Sequence, residues 1–303
     1  SRNQNYMVSW LTPYFLDSLW RLGFELSATV KNELQSKDYN ISTYNFGTFL
    51  SYPVSPYLSY GFKYRVKNYD IKIDDDIKRA EGNEDKITSG SRNGILSGVG
   101  ASLIYDSTDS AIKPHRGIRS ALDGEIAGVG GDAYFFRAAS LNSFYTPLTR
   151  RSYMKYRADF RFIFPYGQTN DFEKIPLSER FFLGGVASVR GYKDFILGPR
   201  FDKENKEGEE KKGLNDPTGG ISSSLVTMEY VHEILPILDA FAFIDAGYVS
   251  DQVFDFGTYR MSYGFGVNVD VLGKVPITLG YGFPVNAQKG TKRKFFFSLG
   301  GQF

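Results

Sequence analysis

Few residues in this sequence have the type and spacing that covalent chemistry needs. There is no cysteine, and the only two histidines, His115 and His232, lie in or beside predicted turns. No Gly-x-Ser-x-Gly motif presents a serine nucleophile, and no group of residues has metal-ligand spacing. The acidic run at 74–76 leaves a calcium site open as a minor alternative to a solvated loop. We therefore predict that the chain is not an enzyme and uses no cofactor.

One arginine has an unusual setting. Arg190 stands between a valine and a glycine in the stretch GGVASVRGYKDFILGPR, which covers residues 184–200. A guanidinium in such a stretch is either solvated in a mobile surface loop or bound by carboxylates from elsewhere in the chain. The choice depends on the elements that surround the stretch.

The composition favours strands over helices. Among 303 residues there are 21 Tyr, 26 Phe and 32 Gly, a combination that suits many strands joined by tight turns. The 36 Lys and Arg nearly balance the 34 Asp and Glu, so nothing in the charge indicates a nucleic-acid partner.

Large apolar residues alternate with small or charged ones over long runs. In SYGFKYRVK, residues 59–67, the aromatic residues and Val66 share one face, opposite Ser59, Gly61, Lys63, Arg65 and Lys67. In MSYGFGVNVDV, residues 261–271, the same period holds. Such runs last about 9–14 residues, whereas strands of soluble proteins cluster near 5–6. A tilted strand needs about 9–11 residues to cross a bilayer, so the lengths favour a membrane barrel over a soluble sandwich.

The pattern predicts thirteen strands in one all-β, antiparallel transmembrane β-barrel domain that covers residues 1–303. The connections at 13–18, 55–56, 148–150, 234–237 and 273–275 are short, and the alternate ones at 72–91 and 166–220 are long and charged. Short periplasmic turns opposite long external loops are typical of outer-membrane barrels. The predicted strands are 5–12, 19–33, 42–54, 57–71, 92–106, 118–129, 134–147, 151–165, 221–233, 238–250, 259–272, 276–286 and 294–303.

Thirteen is an odd number, whereas bacterial single-chain barrels normally have an even number of strands. An open edge in lipid would leave backbone N–H and C=O groups unpaired, at several kcal/mol each, so the sheet has to close. We therefore expect the sequence to begin inside a barrel whose upstream strands are missing from it.

The segment at 181–200 resembles the long extracellular loop of the BamA superfamily of outer-membrane barrels, the bacterial surface antigen family. In that family a Val-Arg-Gly-Phe/Tyr tip folds back into the lumen, and Gly-Pro-Arg/Lys follows a few residues later. Val189, Arg190, Gly191 and Tyr192 match the tip, and 198–200 match the second motif. The resemblance implies a loop at 166–220 whose tip enters the lumen. It also implies about sixteen strands in the complete barrel, with upstream strands and periplasmic POTRA repeats absent from this sequence.

The same resemblance offers partners for the arginine. VTMEY at 226–230 and FIDAGYV at 243–249 resemble the two strands after the loop, where a glutamate and an aspartate point into the lumen. Alternation allows Glu229 and Asp245 to face inward together, and their neighbours Met228, Tyr230, Ile244 and Tyr248 then suit lipid. The resemblance implies that Arg190 is anchored by both acids. The alternative is a solvated arginine, with acids that only line a pore.

Two further segments match the family. YDSTDSAIKPHRGIRSALDGEI at 105–126 resembles its periplasmic turn through Asp106, Asp109, Pro114 and Gly117, although an ordinary Asp/Pro/Gly turn would look similar. The last strand resembles the terminal assembly signal of outer-membrane barrels, carried by Phe295, Phe297, Leu299 and Phe303.

The resemblance implies a barrel-assembly factor of the outer membrane of a Gram-negative bacterium. Such a factor inserts other β-barrels by pairing their strands at a lateral seam, of which 294–303 would form one side. The implied partners are outer-membrane lipids and lipopolysaccharide, unfolded outer-membrane proteins, and accessory lipoproteins that bind the absent periplasmic domain. A two-partner secretion or TamA-like translocation barrel is the alternative within the superfamily, and a passive porin is the alternative outside it.

Overall fold

The computed structural model describes residues 3–31, 39–73, 89–200, 217–254, 259–271, 275–285, 287 and 290–300. These residues form a single sheet of thirteen strands in chain order, in which every strand pairs antiparallel with its neighbours along the chain. The strands are β1 (Asn3–Thr12), β2 (Arg21–Lys31), β3 (Tyr39–Pro53), β4 (Leu58–Ile73), β5 (Asn93–Asp106), β6 (Gly117–Ala127), β7 (Phe135–Thr149), β8 (Ser152–Pro165), β9 (Ser222–Leu235), β10 (Leu238–Ser250), β11 (Arg260–Val271), β12 (Val275–Val285) and β13 (Phe295–Leu299).

The all-β class and the thirteen antiparallel strands predicted from the sequence are confirmed. The remaining regular structure in the described residues is one helical turn, α1 (Ser89–Arg92), and two short 3₁₀ turns, Phe15–Asp17 and Phe172–Lys174. None of the helices in the described part of the chain is long and apolar enough to span a membrane. In the described residues β1 and β13 form the two ends of the sheet.

The two faces of the sheet differ sharply in chemistry. On β11 the side chains of Met261, Tyr263 and Phe265 are exposed, whereas Ser262 on the opposite face is buried. On β1 and β2 the exposed rings of Trp10 and Phe24 stack with centroids 5.7 Å apart. An outer face that exposes large apolar residues along many strands is typical of a sheet in contact with lipid. We call the opposite face the inner face.

The long connection between β8 and β9 packs against the inner face. Its residues Ile175 and Phe181 join one buried apolar cluster, and Leu183, Val189 and Tyr192 join another. A third inner cluster is mainly aromatic and comes from the strands themselves, and its members are Tyr145, Tyr153, Val231, Phe241, Phe243 and Phe296. The connection thus contributes apolar side chains to two of the buried clusters on the inner face.

Candidate functional site: a loop tip on the inner face

The tip of the β8–β9 connection, residues 184–194, is a turn held by hydrogen bonds between its own residues. The N–H of Gly185 donates to the carbonyl of Val189 over 3.2 Å, and the N–H of Gly184 donates to the hydroxyl of Ser188 over 2.7 Å. Gly191 has a φ of 86°, in the left-handed region that side chains disfavour. The turn presents Arg190 at its end.

Arg190 is bound by two carboxylates on adjacent strands. Its Nε and Nη2 donate to the two oxygens of Asp245 over 2.8 Å each, and its backbone N–H donates to Asp245 Oδ2 over 3.0 Å. Its Nη1 donates to the carboxylate of Glu229. The exposed fractions are 4% for Arg190, 0% for Asp245 and 8% for Glu229, so the whole group lies out of solvent. This is a bidentate, charge-assisted contact with a further acceptor.

Strand alternation explains why the two acids meet. Glu229 of β9 is the register partner of Phe243 on β10, and Asp245 lies two residues beyond Phe243 on the same face. The Arg190 guanidinium lies over the ring of Phe243, with its central carbon 3.7 Å from the ring centroid. Diagonal same-face neighbours of this kind are within reach of one long side chain.

The charges in this group are balanced. Lys155 of β8 is the register partner of Glu229, so two cations, Arg190 and Lys155, stand against two anions. Breaking a buried ion pair by removing one partner costs about 3–5 kcal/mol, because it leaves an uncompensated charge. The loop tip and the wall therefore depend on each other for stability.

The other residues of the tip motif pack beside the arginine. Val189 is fully buried in the apolar cluster with Leu225 and Val249. The Tyr192 hydroxyl is within hydrogen-bonding distance of two strand-end carbonyls, those of Val285 at 2.9 Å and Met261 at 3.2 Å. Past the tip, Gly198 is another left-handed residue, and the carbonyl of Pro199 accepts the N–H of Thr218 over 2.9 Å.

A second ionic cluster holds the base of the same connection and was missed in the sequence. Glu179 is buried and accepts from Arg65 over 2.8 Å and from Lys67 over 2.8 Å, both on β4. Arg137 of β7 approaches it at 3.3 Å, and Arg65 also binds the buried Glu125 of β6. Alternation places the β4 cations on one face, but no sequence signal connects them to an acid more than 100 residues away.

The predicted turn residues form a compact network between β5 and β6. Asp106 accepts the N–H of Thr108 over 3.0 Å, and Asp109 accepts that of His115 over 2.9 Å. Pro114 is buried, and Gly117 has a φ of 112°. Beyond the turn itself, Lys113 and His115 reach Glu233, at 2.8 and 2.9 Å, and Lys113 also contacts Asp239. The turn therefore contacts the β9–β10 hairpin.

The outer residues named in the sequence divide into three groups. Met228, Tyr230 and Ile244 are exposed on the outer face, as are Phe295, Phe297 and Leu299 of β13. Tyr248 is buried, so the expectation that it faces lipid is wrong. The Tyr259 ring covers it edge-on, with centroids 5.1 Å apart. Phe303 and the acidic run at 74–76 lie outside the described residues.

Comparisons with known proteins identify the family of the chain. The model of the Omp85 superfamily domain matches residues 1–303. The outer membrane protein assembly factor BamA of Nitratidesulfovibrio vulgaris is 26% identical over 314 residues, covering 99% of this chain and 36% of that protein. The chain thus spans about a third of the length of that relative.

Solved structures show the same fold at low identity. The crystal structure of BamA from Haemophilus ducreyi lacking POTRA domains 1–3 superposes with a TM-score of 0.82 at 17% identity, covering 98% of this chain and 62% of that one. CdiB from Acinetobacter baumannii gives a TM-score of 0.62 at 16% identity, covering 98% and 49%.

Proposed function

The chain belongs to the Omp85 superfamily and is an outer-membrane β-barrel domain of a Gram-negative bacterium, and from this premise we propose that it works in outer-membrane protein assembly. In this proposal the full protein folds and inserts other β-barrels by pairing their strands at a lateral seam. Its partners are unfolded outer-membrane proteins, the lipids and lipopolysaccharide around it, and accessory lipoproteins bound by its periplasmic part.

The observation that carries the proposal is the buried contact of Arg190 with Asp245 and Glu229. A passive porin requires only a polar, water-filled lumen, whereas a loop tip fixed to the wall by buried charges is suited to bracing that wall. A brace across the inner face instead keeps the wall in a fixed shape while an edge of the sheet opens. The arrangement therefore favours a barrel whose function depends on the strands of its wall over a barrel that only conducts solutes through its lumen.

The chemistry of the proposed work is backbone hydrogen bonding. In the described residues β13 pairs with β12 over Ile277–Tyr281 and Phe295–Leu299 and is the last strand of the sheet, so its other side has no strand partner there. An unpaired strand edge in lipid attracts another strand, because each unsatisfied backbone group costs several kcal/mol there. An incoming strand gains these bonds by β-augmentation, and local thinning of the bilayer lowers the barrier to its insertion.

A second candidate is polypeptide translocation, as by a two-partner secretion or TamA-like barrel. The likeness to CdiB keeps this candidate open, because the same sheet superposes on both structures. The two candidates differ in their product. Assembly leaves a folded barrel in the membrane, whereas translocation delivers a chain across it.

The test is Arg190→Ala in the full-length protein, as the sole copy in the cell. We expect outer-membrane barrel proteins to fall several-fold in abundance, measured by heat-modifiable gel mobility and quantitative blotting. Arg119→Gln is the matched control, because it breaks the more exposed Arg119–Asp106 pair on β5 and β6. Normal levels of folded outer-membrane barrels in the Arg190→Ala strain would contradict the proposed role of Arg190 in assembly. Normal levels of barrels together with a defect in protein secretion would favour translocation.

A further inference from the structure

The loop tip makes a backbone contact with the segment that leads into the last described strand. We call residues 290–294 the lead-in segment. The N–H of Arg293 donates to the carbonyl of Gly191 over 2.9 Å, and the N–H of Lys193 donates to the carbonyl of Thr291 over 2.9 Å. Together they form an antiparallel bridge between Tyr192 and Lys292. The residues directly after Arg190 are therefore bonded to the residues directly before β13.

An ion pair and a close backbone approach reinforce this bridge. Asp194 of the tip and Arg293 of the lead-in segment pair at 2.6 Å. Gly191 packs against Gly282 of β12 so closely that a Cβ on Gly282 would lie 2.7 Å from the Gly191 Cα. Only a glycine at 282 leaves room for the tip, since the atoms it would meet belong to backbone.

A second path runs through aromatic rings. Phe296 of β13 faces inward and is buried, whereas its neighbours Phe295 and Phe297, which the sequence analysis named, are exposed on the outer face. Its ring meets that of Phe243 edge-on, with centroids 5.8 Å apart. Phe243 is the ring that carries the Arg190 guanidinium. Arg190 is thus connected to β13 through Phe243, which contacts both Arg190 and Phe296.

We propose that the loop tip holds the lead-in segment and thereby sets the position and the opening rate of β13, with Gly282, Asp194 and Arg293 as positioning residues. The position of β13 makes this possible, because in the described residues it is the last strand and opens by losing its pairing with β12 alone. The consequence for barrel assembly rests on the proposed function: a tip that leaves its seat releases the strand edge to which a substrate strand pairs.

The proposal is tested by hydrogen exchange on the full-length protein in lipid nanodiscs without substrate. The readout is the exchange rate of the amides at 295–299, with β7 and β8 as an internal reference for global stability. Gly282→Ala displaces the tip by collision. Its control is Gly47→Ala on β3, where the nearest atom to a new Cβ is 4.0 Å away. Asp194→Asn removes only the ion pair, from the loop side.

With Gly282→Ala we expect exchange at 295–299 to rise about tenfold or more, because the free energy of a local opening depends on the interactions that hold the segment closed. With Asp194→Asn we expect a rise of about twofold to fivefold, as for a partly exposed ion pair. Gly47→Ala should leave the rate unchanged, and β7 and β8 should keep their protection in all three variants. Wild-type exchange at 295–299 in both Gly282→Ala and Asp194→Asn would overturn the proposal.

If Gly282→Ala destabilises the whole barrel, an exchange of the two charges at 194 and 293 provides a second test. Asp194→Arg combined with Arg293→Asp restores the pair in reverse, so protection at 295–299 should return relative to Asp194→Arg alone. Failure to recover would contradict the coupling of tip and strand. Because the measurement uses no substrate, normal exchange in the variants would contradict the coupling of tip and strand and leave the proposed assembly function untouched. An assembly defect in variants with normal exchange would support the assembly function without the coupling.

Discussion

Arg190 and Asp245 form a contact whose two sides are almost completely withdrawn from water. Asp245 accepts three hydrogen bonds from this one residue, whereas Glu229 accepts from a single guanidinium nitrogen and also neighbours Lys155. Loss of the Asp245 charge therefore weakens more of the hydrogen bonds to Arg190 than loss of the Glu229 charge does. The residue type at 245 decides whether the tip can bind the wall.

For Asp245→Asn we expect the free energy of unfolding to fall by about 3–5 kcal/mol, because an arginine is left buried without its main counter-charge. Chemical denaturation of the purified protein in detergent measures this change. Arg119→Gln should cost no more than about 1 kcal/mol, as for an exposed pair. Adding Arg190→Gln to Asp245→Asn should recover part of the loss, since Lys155 and Glu229 then balance. An equal loss of unfolding free energy in Asp245→Asn and Arg119→Gln would contradict the buried contact between Arg190 and Asp245.

At the level of elements, the β8–β9 connection is attached at its base and at its tip. The base is attached by Glu179 to β4 and β7, and the tip by Arg190 to β9 and β10. Burial alone would raise the pKa of Glu179, but the charges of Lys67 and Arg65 outweigh it and hold that pKa well below its ordinary value. The depressed pKa makes the base attachment sensitive to acid.

A carboxylate with a lowered pKa in the folded state stabilises that state above its unfolded pKa, about 4.3 for Glu, and loses this contribution as the pH falls further. We therefore expect the base of the connection to loosen below about pH 4. Proteolysis or hydrogen exchange at 172–181, followed from pH 6 to pH 3, detects it. Glu179→Gln should weaken the attachment at neutral pH and flatten the pH dependence. Asp171→Asn, at an exposed loop carboxylate, should leave the acid response as in wild type.

Across the whole molecule, the sequence predicted the thirteen strands because period-two alternation is local and the runs are long. The partners of Arg190 lie 39 and 55 residues away, and only the resemblance to a family suggested them. Glu179 and its β4 cations are more than 100 residues apart, and Phe296 lies on the less obvious face of an apolar run. Contacts made by a long loop with distant strands depend on tertiary packing that alternation does not encode.

At the scale of the whole molecule, we propose that an anchored loop tip keeps the barrel wall competent for assembly. The most direct test of this proposal is the rate at which an unfolded outer-membrane barrel protein inserts into vesicles that contain the full-length protein, as wild type, Arg190→Ala or Arg119→Gln. We expect wild type and Arg119→Gln to accelerate insertion equally over empty vesicles, and Arg190→Ala to lose most of that acceleration while remaining folded. A folded Arg190→Ala protein that inserts the substrate as fast as wild type would contradict the account.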